Sequence, residues 1–442
     1  MKRYIQLTLV VLCALLPLCS IAQNVGRGNQ EFIDIDVEAT YISIEFATLI
    51  VKTTLPKELI GKELKIVAEI KNNVGNIVAY QDMQLIDNQQ NEILQNISIE
   101  NPWLWSENNT YFYVVERRIY DDEEIIDNSK IYIALKDFYY VENRGFVLNG
   151  ENYNLRAVRY RGSQVSCLDD TIALIRNMML LREMGCNTIL VDEELYPKIE
   201  RICNVIGVIA VNSATIDKSL NLFDGIADLN DVIDNAFIPK DKYYYYQSIW
   251  RKDLEQLHLL PHWNWIGREG EITPILAYTN YPKIELFVNE NSAGISESCR
   301  NLWYDVEYSP GEVKAVAYDA DNKVIKTESL KTPSKANKID VEVHQKIQLP
   351  RGRGFATFVT VSVTDEYGTL VNDYNKKISV KIKGDGELLC MLNGSKSDNC
   401  TDKSSIKAHN GKVTIVIHSQ DEDAQTTLLI KGKGVKKETE IF

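Results

Sequence analysis

Residues 171–213 read TIALIRNMMLLREMGCNTILVDEELYPKIERICNVIGVIAVNS, and this stretch decides the fold of the middle of the chain. Apolar residues recur near helical spacing over Thr171–Met184, and a second helix is predicted over Tyr196–Ile206. The short apolar runs Asn187–Val191 and Val208–Val211 alternate with these helices and have the length of buried strands. This alternation of strands and helices predicts parallel strands.

The alternation starts with a predicted hairpin at Phe146–Gly150 and a strand at Tyr153–Tyr160. It stops after the third strand, because Thr215–Asn235 is polar and weakly patterned. A (β/α)₈ barrel needs roughly 200 to 250 residues. Residues 141–250 therefore form an α/β segment that is too short for a complete barrel.

The sequence on both sides of this segment has the alternation and turn residues of β-sandwiches. Strands are predicted at Leu64–Tyr80, Tyr111–Tyr120, Ile284–Asn289, Gly311–Tyr318, Thr357–Thr364, Lys377–Ile382 and Val413–His418. The chain is thus predicted to be multidomain and mainly β. Its predicted parts are a signal peptide at 1–22, an immunoglobulin-like β-sandwich at 23–140, the truncated α/β segment at 141–250, a β-sandwich at 251–332 and a C-terminal immunoglobulin-like β-sandwich at 333–442.

The net charge and the first residues of the chain indicate what the protein binds and where it is located. The formal net charge is −13, which argues against a broad surface for nucleic acid. The start of the chain resembles a cleavable signal, with the charged residues Lys2 and Arg3, the apolar run Leu7–Leu18 and the small residues Ser20 and Ala22. Export to the periplasm or the exterior is therefore predicted. A membrane anchor and lipid attachment are the alternatives. No later segment is apolar enough to predict a transmembrane segment.

Eight cysteines occur, two of them in the predicted signal peptide. Their spacing matches no recognised disulfide framework, and pairing cannot be read from sequence. Cys186 and Cys203 have apolar neighbours and are interpreted as buried thiols. Cys390 and Cys400 are the near pair considered for a disulfide.

Six motifs, in order along the chain, resemble glycoside hydrolase family 2, the β-galactosidase-like enzymes. They are Asn101-Pro102-Trp103-Leu104-Trp105-Ser106, Gly145–Gly150 with Leu155-Arg156, Met184–Ile189, Ile238–Trp250, Leu259–Trp265 and Gly311–Tyr318. The resemblance covers residues 32–320. It implies that residues 141–250 are the remnant of a (β/α)₈ (TIM) barrel.

The resemblance also shows where the chain departs from the family. The barrel segment that carries the family's Asn-Glu acid/base and Glu nucleophile has no counterpart here. At the first three strand ends this chain has Arg159-Tyr160-Arg161, Asp192-Glu193-Glu194 and Asn212-Ser213. Retaining glycosidases need two carboxyl groups roughly 5–5.5 Å apart. The resemblance therefore implies a degenerate member, and no catalytic residue is assigned.

The candidate substrate-binding residues are Trp250, His262, Trp263 and Trp265. Aromatic rings offer sugars a flat apolar face, but packing of the segment against the next sandwich is the favoured interpretation. Tyr243–Tyr246 lie on a predicted helix, where successive rings point in different directions, which also favours packing. Asp192-Glu193-Glu194 is interpreted as a solvated loop. No spacing predicts a metal site or a phosphate loop, so no cofactor is expected.

Three hypotheses follow for function. The first is an exported, non-hydrolytic relative of β-galactosidase-like enzymes that binds an oligosaccharide or polysaccharide. The second is an active retaining glycosidase that uses an unrecognised carboxylate pair. The third is a structural or adhesive multi-sandwich protein. The sequence does not name a sugar or an oligomeric state.

Overall fold

A computed structural model of the protein describes residues 33–162, 165–214, 226–297, 300–349, 352–396 and 399–441. The predicted signal peptide at 1–22 and Cys299 lie outside the described residues. The chain divides into two compact units, the first holding residues 33–155 with 200–209 and the second holding most of the rest. Within the described ranges, no helix is both long enough and apolar enough to cross a membrane.

Helices are few and lie mostly in the middle of the chain. Those in the described residues are α1 (Asp170–Met184), α2 (Tyr196–Ile206), α3 (Leu229–Val232) and α4 (Asp241–Trp250), besides a 3₁₀ turn at Lys57–Leu59. The two predicted helices of the middle segment thus form with nearly the predicted bounds, and the tyrosine run lies on α4 as expected.

The first unit is a seven-stranded β-sandwich. Its strands are β1 (Asp34–Ile42), β2 (Phe46–Thr54), β3 (Leu64–Lys71), β4 (Ile77–Leu85), β5 (Glu92–Glu100), β6 (Tyr113–Asp121) and β7 (Glu124–Ile133). One sheet has the order β1-β2-β5 and the other β4-β3-β6-β7, and the inner faces of both sheets share one core. Strict alternation along β5, with every second residue buried, matches a sheet that is solvated on its outer face.

A small antiparallel sheet follows, with β8 (Phe138–Val141), β9 (Gly145–Leu148) and β10 (Glu151–Asn152). The end of α2 belongs to the same unit. The Nε1 of Trp105, a fully buried residue, donates to the carbonyl of Asn204 at 2.7 Å. Lys136 donates to Asn204 at 2.5 Å and to Glu200 at 3.3 Å. Burial lowers the pKa of Lys136, although Glu200 opposes this.

The second unit begins with the predicted parallel sheet. Its strands are β11 (Ala157–Arg159), β12 (Thr188–Val191), β13 (Ile209–Asn212) and β14 (Ala227–Asp228), in the order β13-β12-β11-β14. β11 pairs in parallel with β12 on one side and with β14 on the other. The predicted strand Tyr153–Tyr160 is therefore shortened to three residues. All four side chains of β12 are buried, as expected for a strand covered on both faces.

Helix α1 is buried on nearly all sides, which corrects the amphipathic helix expected from its sequence. Every residue from Ile172 to Leu181 is buried, including Arg176. At its start the Asp169 carboxylate accepts from the amides of Thr171 and Ile172, and these bonds lower its pKa although burial opposes them. At its end Gly185 adopts φ +100°, where a Cβ would lie 2.9 Å from Cβ of Trp250.

The second sandwich of seven strands follows α4. Its strands are β15 (Leu257–Leu260), β16 (Ile275–Thr279), β17 (Lys283–Val288), β18 (Asn291–Ser296), β19 (Arg300–Trp303), β20 (Glu312–Tyr318) and β21 (Val324–Lys331). They form the sheets β15-β16-β19 and β18-β17-β20-β21, which enclose one core.

The four tyrosines of α4 join this sandwich to α1. The Tyr243 hydroxyl donates to the Leu180 carbonyl of α1 at 3.1 Å. The Tyr244 ring stacks on the imidazole of His258 in β15, with 3.9 Å between ring centroids. Tyr245 meets Tyr278 of β16 edge-on at 5.3 Å, and Tyr246 packs on Trp250. Each ring has a different neighbour, as the packing interpretation predicted.

The third sandwich has ten strands. They are β22 (Lys338–Val343), β23 (Ile347–Gln348), β24 (Phe355–Thr364), β25 (Lys377–Gly384), β26 (Glu387–Leu392), β27 (Cys400–Thr401), β28 (Ser405–Lys407), β29 (Lys412–Ser419), β30 (Thr426–Gly432) and β31 (Val435–Glu440). One sheet follows β22-β24-β29-β26-β27 with β23 beside β24, and the other follows β28-β25-β30-β31.

Both faces of the central strands β24 and β29 are buried, which the sequence did not predict. Val359, Val361 and Val363 of β24 point into the sandwich core. The alternate residues of β24 and β29 point outward and are buried as well, namely Ala356, Phe358, Thr360, Thr414 and Val416. We call these five residues the outer face.

The outer face is covered by α1 and by the turn after α3. Phe237 meets Phe358 edge-on at 5.1 Å, and the guanidinium of Arg176 lies 5.3 Å from the Phe358 ring centroid. Thr414 donates to the Ala236 carbonyl at 2.8 Å. The Asp234 side chain packs closely against Gly394, where a Cβ would lie 2.2 Å from the Asp234 carboxylate. The α/β segment and the third sandwich therefore share one buried interface.

His344 lies at this interface. Its Nε2 is 2.8 Å from Oγ1 of Thr360, and its backbone amide donates to the Phe358 carbonyl. Glu342 lies 3.8 Å from Nδ1. Burial, with a smaller repulsion from Arg176, lowers the pKa of His344 to about 4. As the pH falls below about 6.5, the unfolded chain takes up this proton first, so stability is lost until the pH reaches about 4.

We expect His344→Gln to flatten the acid side of the stability profile. Between pH 7.5 and 5.0, His344 should remove about 2 kcal/mol from the free energy of unfolding of the parent, because one pKa unit corresponds to about 1.4 kcal/mol. Urea unfolding at both pH values measures this. The comparison uses the pH slope of each variant, so a uniform loss of stability in the variant does not matter. Equal slopes for parent and variant would contradict the prediction.

Candidate functional site

The carboxyl ends of the parallel strands form a polar edge. In barrels of parallel strands this is the edge that carries active sites. Here it presents Arg159 at the end of β11 and Arg161 after it, Asp192, Glu193 and Glu194 after β12, Asn212 at the end of β13 and Ser213 after it, and Asp228 of β14. We call this set the strand-end edge.

Four of its polar groups form two exposed hydrogen-bonded pairs. The Nε of Arg161 donates to Asp228 at 3.2 Å, with side-chain exposures of 60% and 44%. The Ser213 hydroxyl donates to Asp192 at 3.0 Å. Glu193 and Glu194 are exposed, which agrees with a solvated loop. Exposed pairs of this kind contribute roughly 0–1 kcal/mol to stability.

The arrangement is unlike that of a glycosidase acid pair. Asp192 follows β12 and Asp228 lies on β14, and these strands flank β11 on opposite sides. Neighbouring strands are about 4.8 Å apart, so the two backbones are separated by roughly 10 Å. A retaining enzyme holds its carboxyl groups roughly 5–5.5 Å apart in contrasting environments. The strand-end edge therefore offers hydrogen bonds in water rather than an enclosed acid and nucleophile.

The four aromatic candidates lie in different surroundings. Trp263 is 1% exposed, and its Nε1 donates to the Ser309 carbonyl at 3.0 Å within the core of the second sandwich. Trp265 is half-buried beside that core and stacks on the exposed His262 at 4.2 Å. Trp250 is half-buried at the end of α4. The structure thus brings His262 and Trp265 together, while a substrate-binding role for the four remains a prediction.

Another tryptophan is the most exposed of the six, and sequence reasoning missed it. Trp103 is 65% exposed and stacks at 6.1 Å on the Tyr111 ring, whereas the other five are buried or half-buried. The alternate positions of Trp103 and Trp105 in the sequence predict that both are core or edge residues. They lie outside regular strands, so strand alternation does not apply, and Trp103 turns outward while Trp105 is fully buried. An exposed, supported indole is a suitable platform for the apolar face of a sugar.

The described ranges contain no group of three or more His, Cys, Asp or Glu arranged to hold a metal ion. Cys390 and Cys400, considered for a disulfide, are free thiols in the structure. Cys186 and Cys203 are buried thiols, as their apolar neighbours indicated. Burial raises the pKa of Cys186 to about 12, so this thiol is not activated as a nucleophile.

Three family models match the chain. Residues 32–136 match the model of glycosyl hydrolases family 2, and residues 333–440 match glycoside hydrolase family 2 C-terminal domain 5. Residues 270–326 match a domain of unknown function, DUF4982. The α/β segment lies between the matched regions.

Curated relatives are glycosidases by name. Over 211 residues the chain is 32% identical to beta-galactosidase BoGH2A of Bacteroides ovatus. The aligned region covers 47% of this chain and 24% of that protein. Over 185 residues it is 30% identical to a putative beta-glucuronidase of Formosa agariphila. The aligned region covers 40% of this chain and 17% of that protein. The matched part of the chain thus spans a quarter or less of either relative.

Solved structures share the fold. A glycosyl hydrolase family 2 member from Bacteroides cellulosilyticus superposes with a TM-score of 0.78 at 16% identity, over 92% of this chain and 78% of that one. A beta-glycosidase from Bacteroides vulgatus superposes with a TM-score of 0.74 at 16% identity, over the same shares. The fold seen here therefore occurs in these solved glycosidase structures.

We expect Trp263→Ala to lower the free energy of unfolding by about 3–5 kcal/mol, because truncating a buried tryptophan leaves a cavity in the core. Chemical denaturation followed by circular dichroism measures the change. Trp103→Ala is the matched control and should unfold like the parent, since its ring is mostly in water. If Trp263→Ala also unfolds like the parent, the packing interpretation of Trp263 is wrong.

Proposed function

Because this chain belongs to glycoside hydrolase family 2, we propose that it is an exported, non-hydrolytic member of the family that binds carbohydrate. The relatives named beta-galactosidase and beta-glucuronidase support β-linked sugars as the class of ligand.

One observation carries the non-hydrolytic part of the proposal. β14 pairs in parallel with β11, and residues 213–226 are all that separate it from β13. In a closed (β/α)₈ barrel the last strand pairs with the first. The order β13-β12-β11-β14 agrees with a barrel of which only the first three strands and the last are kept, and this supports the proposal. A single β/α/β unit needs about 30 residues, so the linking segment has no room for the strands between.

The resemblance to the family places the acid/base and the nucleophile on those intervening strands. The strand-end edge does not replace them, because Asp228 is paired with Arg161 and Asp192 with Ser213 in water. Two carboxyl groups become a glycosidase pair only when their surroundings separate their protonation states and their spacing is fixed. Binding without bond cleavage is the function that agrees with this geometry.

Trp103 supports carbohydrate binding by the first unit. Its indole is exposed, and Tyr111 holds it from one side. Tyr111 itself meets Tyr113 edge-on at 5.0 Å, and the Tyr113 hydroxyl accepts from the Trp103 amide at 2.8 Å. The platform is thereby fixed before any ligand arrives, which reduces the entropy lost on binding.

We expect no hydrolysis of nitrophenyl β-galactoside, β-glucuronide or β-mannoside by the purified protein, because the acid/base and the nucleophile are missing. Release of nitrophenol above buffer, measured by absorbance, tests this. Asp228→Asn and Asp192→Asn probe the strand-end edge, and Asp122→Asn in a turn of the first sandwich is the matched control. Turnover that is lost in an edge variant and kept in the control would show that the chain is an active glycosidase.

We expect the parent to bind at least one β-linked glycan on an array and Trp103→Ala to bind it about tenfold more weakly. Loss of one stacked ring removes about 1.4 kcal/mol of binding free energy, which corresponds to a tenfold change in affinity. Trp103→Phe keeps an aromatic face and should retain most of the affinity. Titration calorimetry with the strongest array ligand gives the ratio. Unchanged affinity in Trp103→Ala would exclude this platform, and a parent that binds no glycan would favour a purely structural role.

A further inference from the structure

Three cysteines that are far apart in sequence meet in the second unit. Cys167 lies in the turn before α1, Cys390 in β26 and Cys400 in β27. The Cys390 and Cys400 thiols are neighbouring groups that perturb the pKa of the Cys167 thiol, and Cys167 perturbs that of Cys400. Next to it, the Ser166 hydroxyl lies 3.5 Å from Sγ of Cys400. The loop before α1 thus reaches the third sandwich at a cluster of thiols.

Strand register decides which pair can form a disulfide. Leu392 is directly opposite Cys400, and Met391 is opposite Thr401. Cys390 is therefore two residues along its strand from the partner of Cys400, on the same face. Such diagonal neighbours are about 7–8 Å apart, whereas a disulfide needs Cα atoms roughly 4.4–6.8 Å apart. The pair suggested by the sequence, Cys390 with Cys400, is thus poorly placed, and Cys167 reaches both.

Burial separates the two remaining choices. Cys390 is fully buried, while Cys167 and Cys400 are each partly exposed. A dissolved oxidant can reach a partly exposed thiol but not a fully buried one. Besides the Ser166 hydroxyl, the backbone of Cys167 also hydrogen-bonds to the Cys400 sulfur, and these donors stabilise negative charge on Cys400.

We propose that Cys167 and Cys400 form a disulfide that fastens the loop before α1 to the third sandwich. A low-molecular-weight disulfide such as oxidised glutathione suffices as the oxidant. The Cys400 thiolate attacks one glutathione sulfur, forms a mixed disulfide and releases one glutathione thiolate. The Cys167 thiolate then attacks the Cys400 sulfur, so the protein disulfide forms and the second glutathione leaves. The two protein protons end on the two glutathione thiols, and the two electrons reduce the glutathione disulfide.

The surroundings of the thiols set the speed of this reaction. Hydrogen bonding to Cys390 and burial raise the pKa of the Cys167 thiol, and burial raises that of Cys400. Because the thiolate is the attacking species, closure should be slow at neutral pH and faster at pH 9. Once formed, the bond closes a loop of more than 200 residues, for which the loss of freedom in the unfolded chain is large.

The test uses the full chain in glutathione redox buffer, trapped with acid and alkylated before non-reducing digestion and mass spectrometry. The expected product is one peptide pair joining Cys167 to Cys400, formed several-fold faster at pH 9 than at pH 7. Its formation should raise the Tm by about 5–10 °C. A Cys390–Cys400 or Cys167–Cys390 pair, or complete alkylation of all three thiols after prolonged oxidation, would overturn the proposal.

Serine variants separate the roles of the three thiols. Cys167→Ser and Cys400→Ser should each abolish the rise in Tm that oxidation produces, while their reduced forms melt like the reduced parent. Cys390→Ser should keep the linked peptide and the rise. Cys186→Ser, at a buried thiol that donates to the Thr188 carbonyl at 3.1 Å, is the matched control and should behave like the parent. Loss of the linked peptide in Cys390→Ser would also count against the proposal.

Discussion

The central strands β24 and β29 of the third sandwich bury both of their faces, and the packing of the α/β segment depends on this. Antiparallel sheets commonly leave one face in water, but here Phe358, Val416 and Ala356 point away from the sandwich core and are still fully buried. Helix α1 and the turn at Phe237 cover them. The short parallel sheet has the complementary need, because parallel strands require cover on both faces. Each part buries apolar surface of the other that would otherwise be exposed to water.

Helix α4 extends this dependence to the second sandwich. Its tyrosines contact α1 through the Leu180 carbonyl and contact the sandwich through His258 and Tyr278. Gly185 permits the close approach, because any side chain there would collide with the end of α4. These contacts give the residues of α4 a structural role.

A fold that occurs in an enzyme family is compatible with a strand-end edge that is open to solvent. In barrels the fold provides a rigid frame, and activity depends on a few side chains at strand ends. The parallel strands here hold exposed pairs such as Arg161–Asp228, in which each charge is neutralised by its partner. The packing surfaces of such a frame are needed for folding whether or not a substrate is cleaved.

The sequence by itself determined the order of elements: the helices around Ile175 and Ile202, the buried strand Thr188–Val191 and the sandwiches on either side. These follow from periodicity, which is local, and from motifs that resemble family 2. The tertiary structure alone decided that α1 is buried all round, that Trp103 is exposed while Trp105 is buried, and that Cys167 rather than Cys390 is the neighbour with which Cys400 can pair. It also brought Arg161 to Asp228 across 67 residues. The reason is physical. Hydrogen bonds and periodicity within an element depend on residues a few positions apart, so the sequence predicts them. Contacts between elements depend on which surfaces must be buried away from water, and residue spacing does not show which surfaces those are.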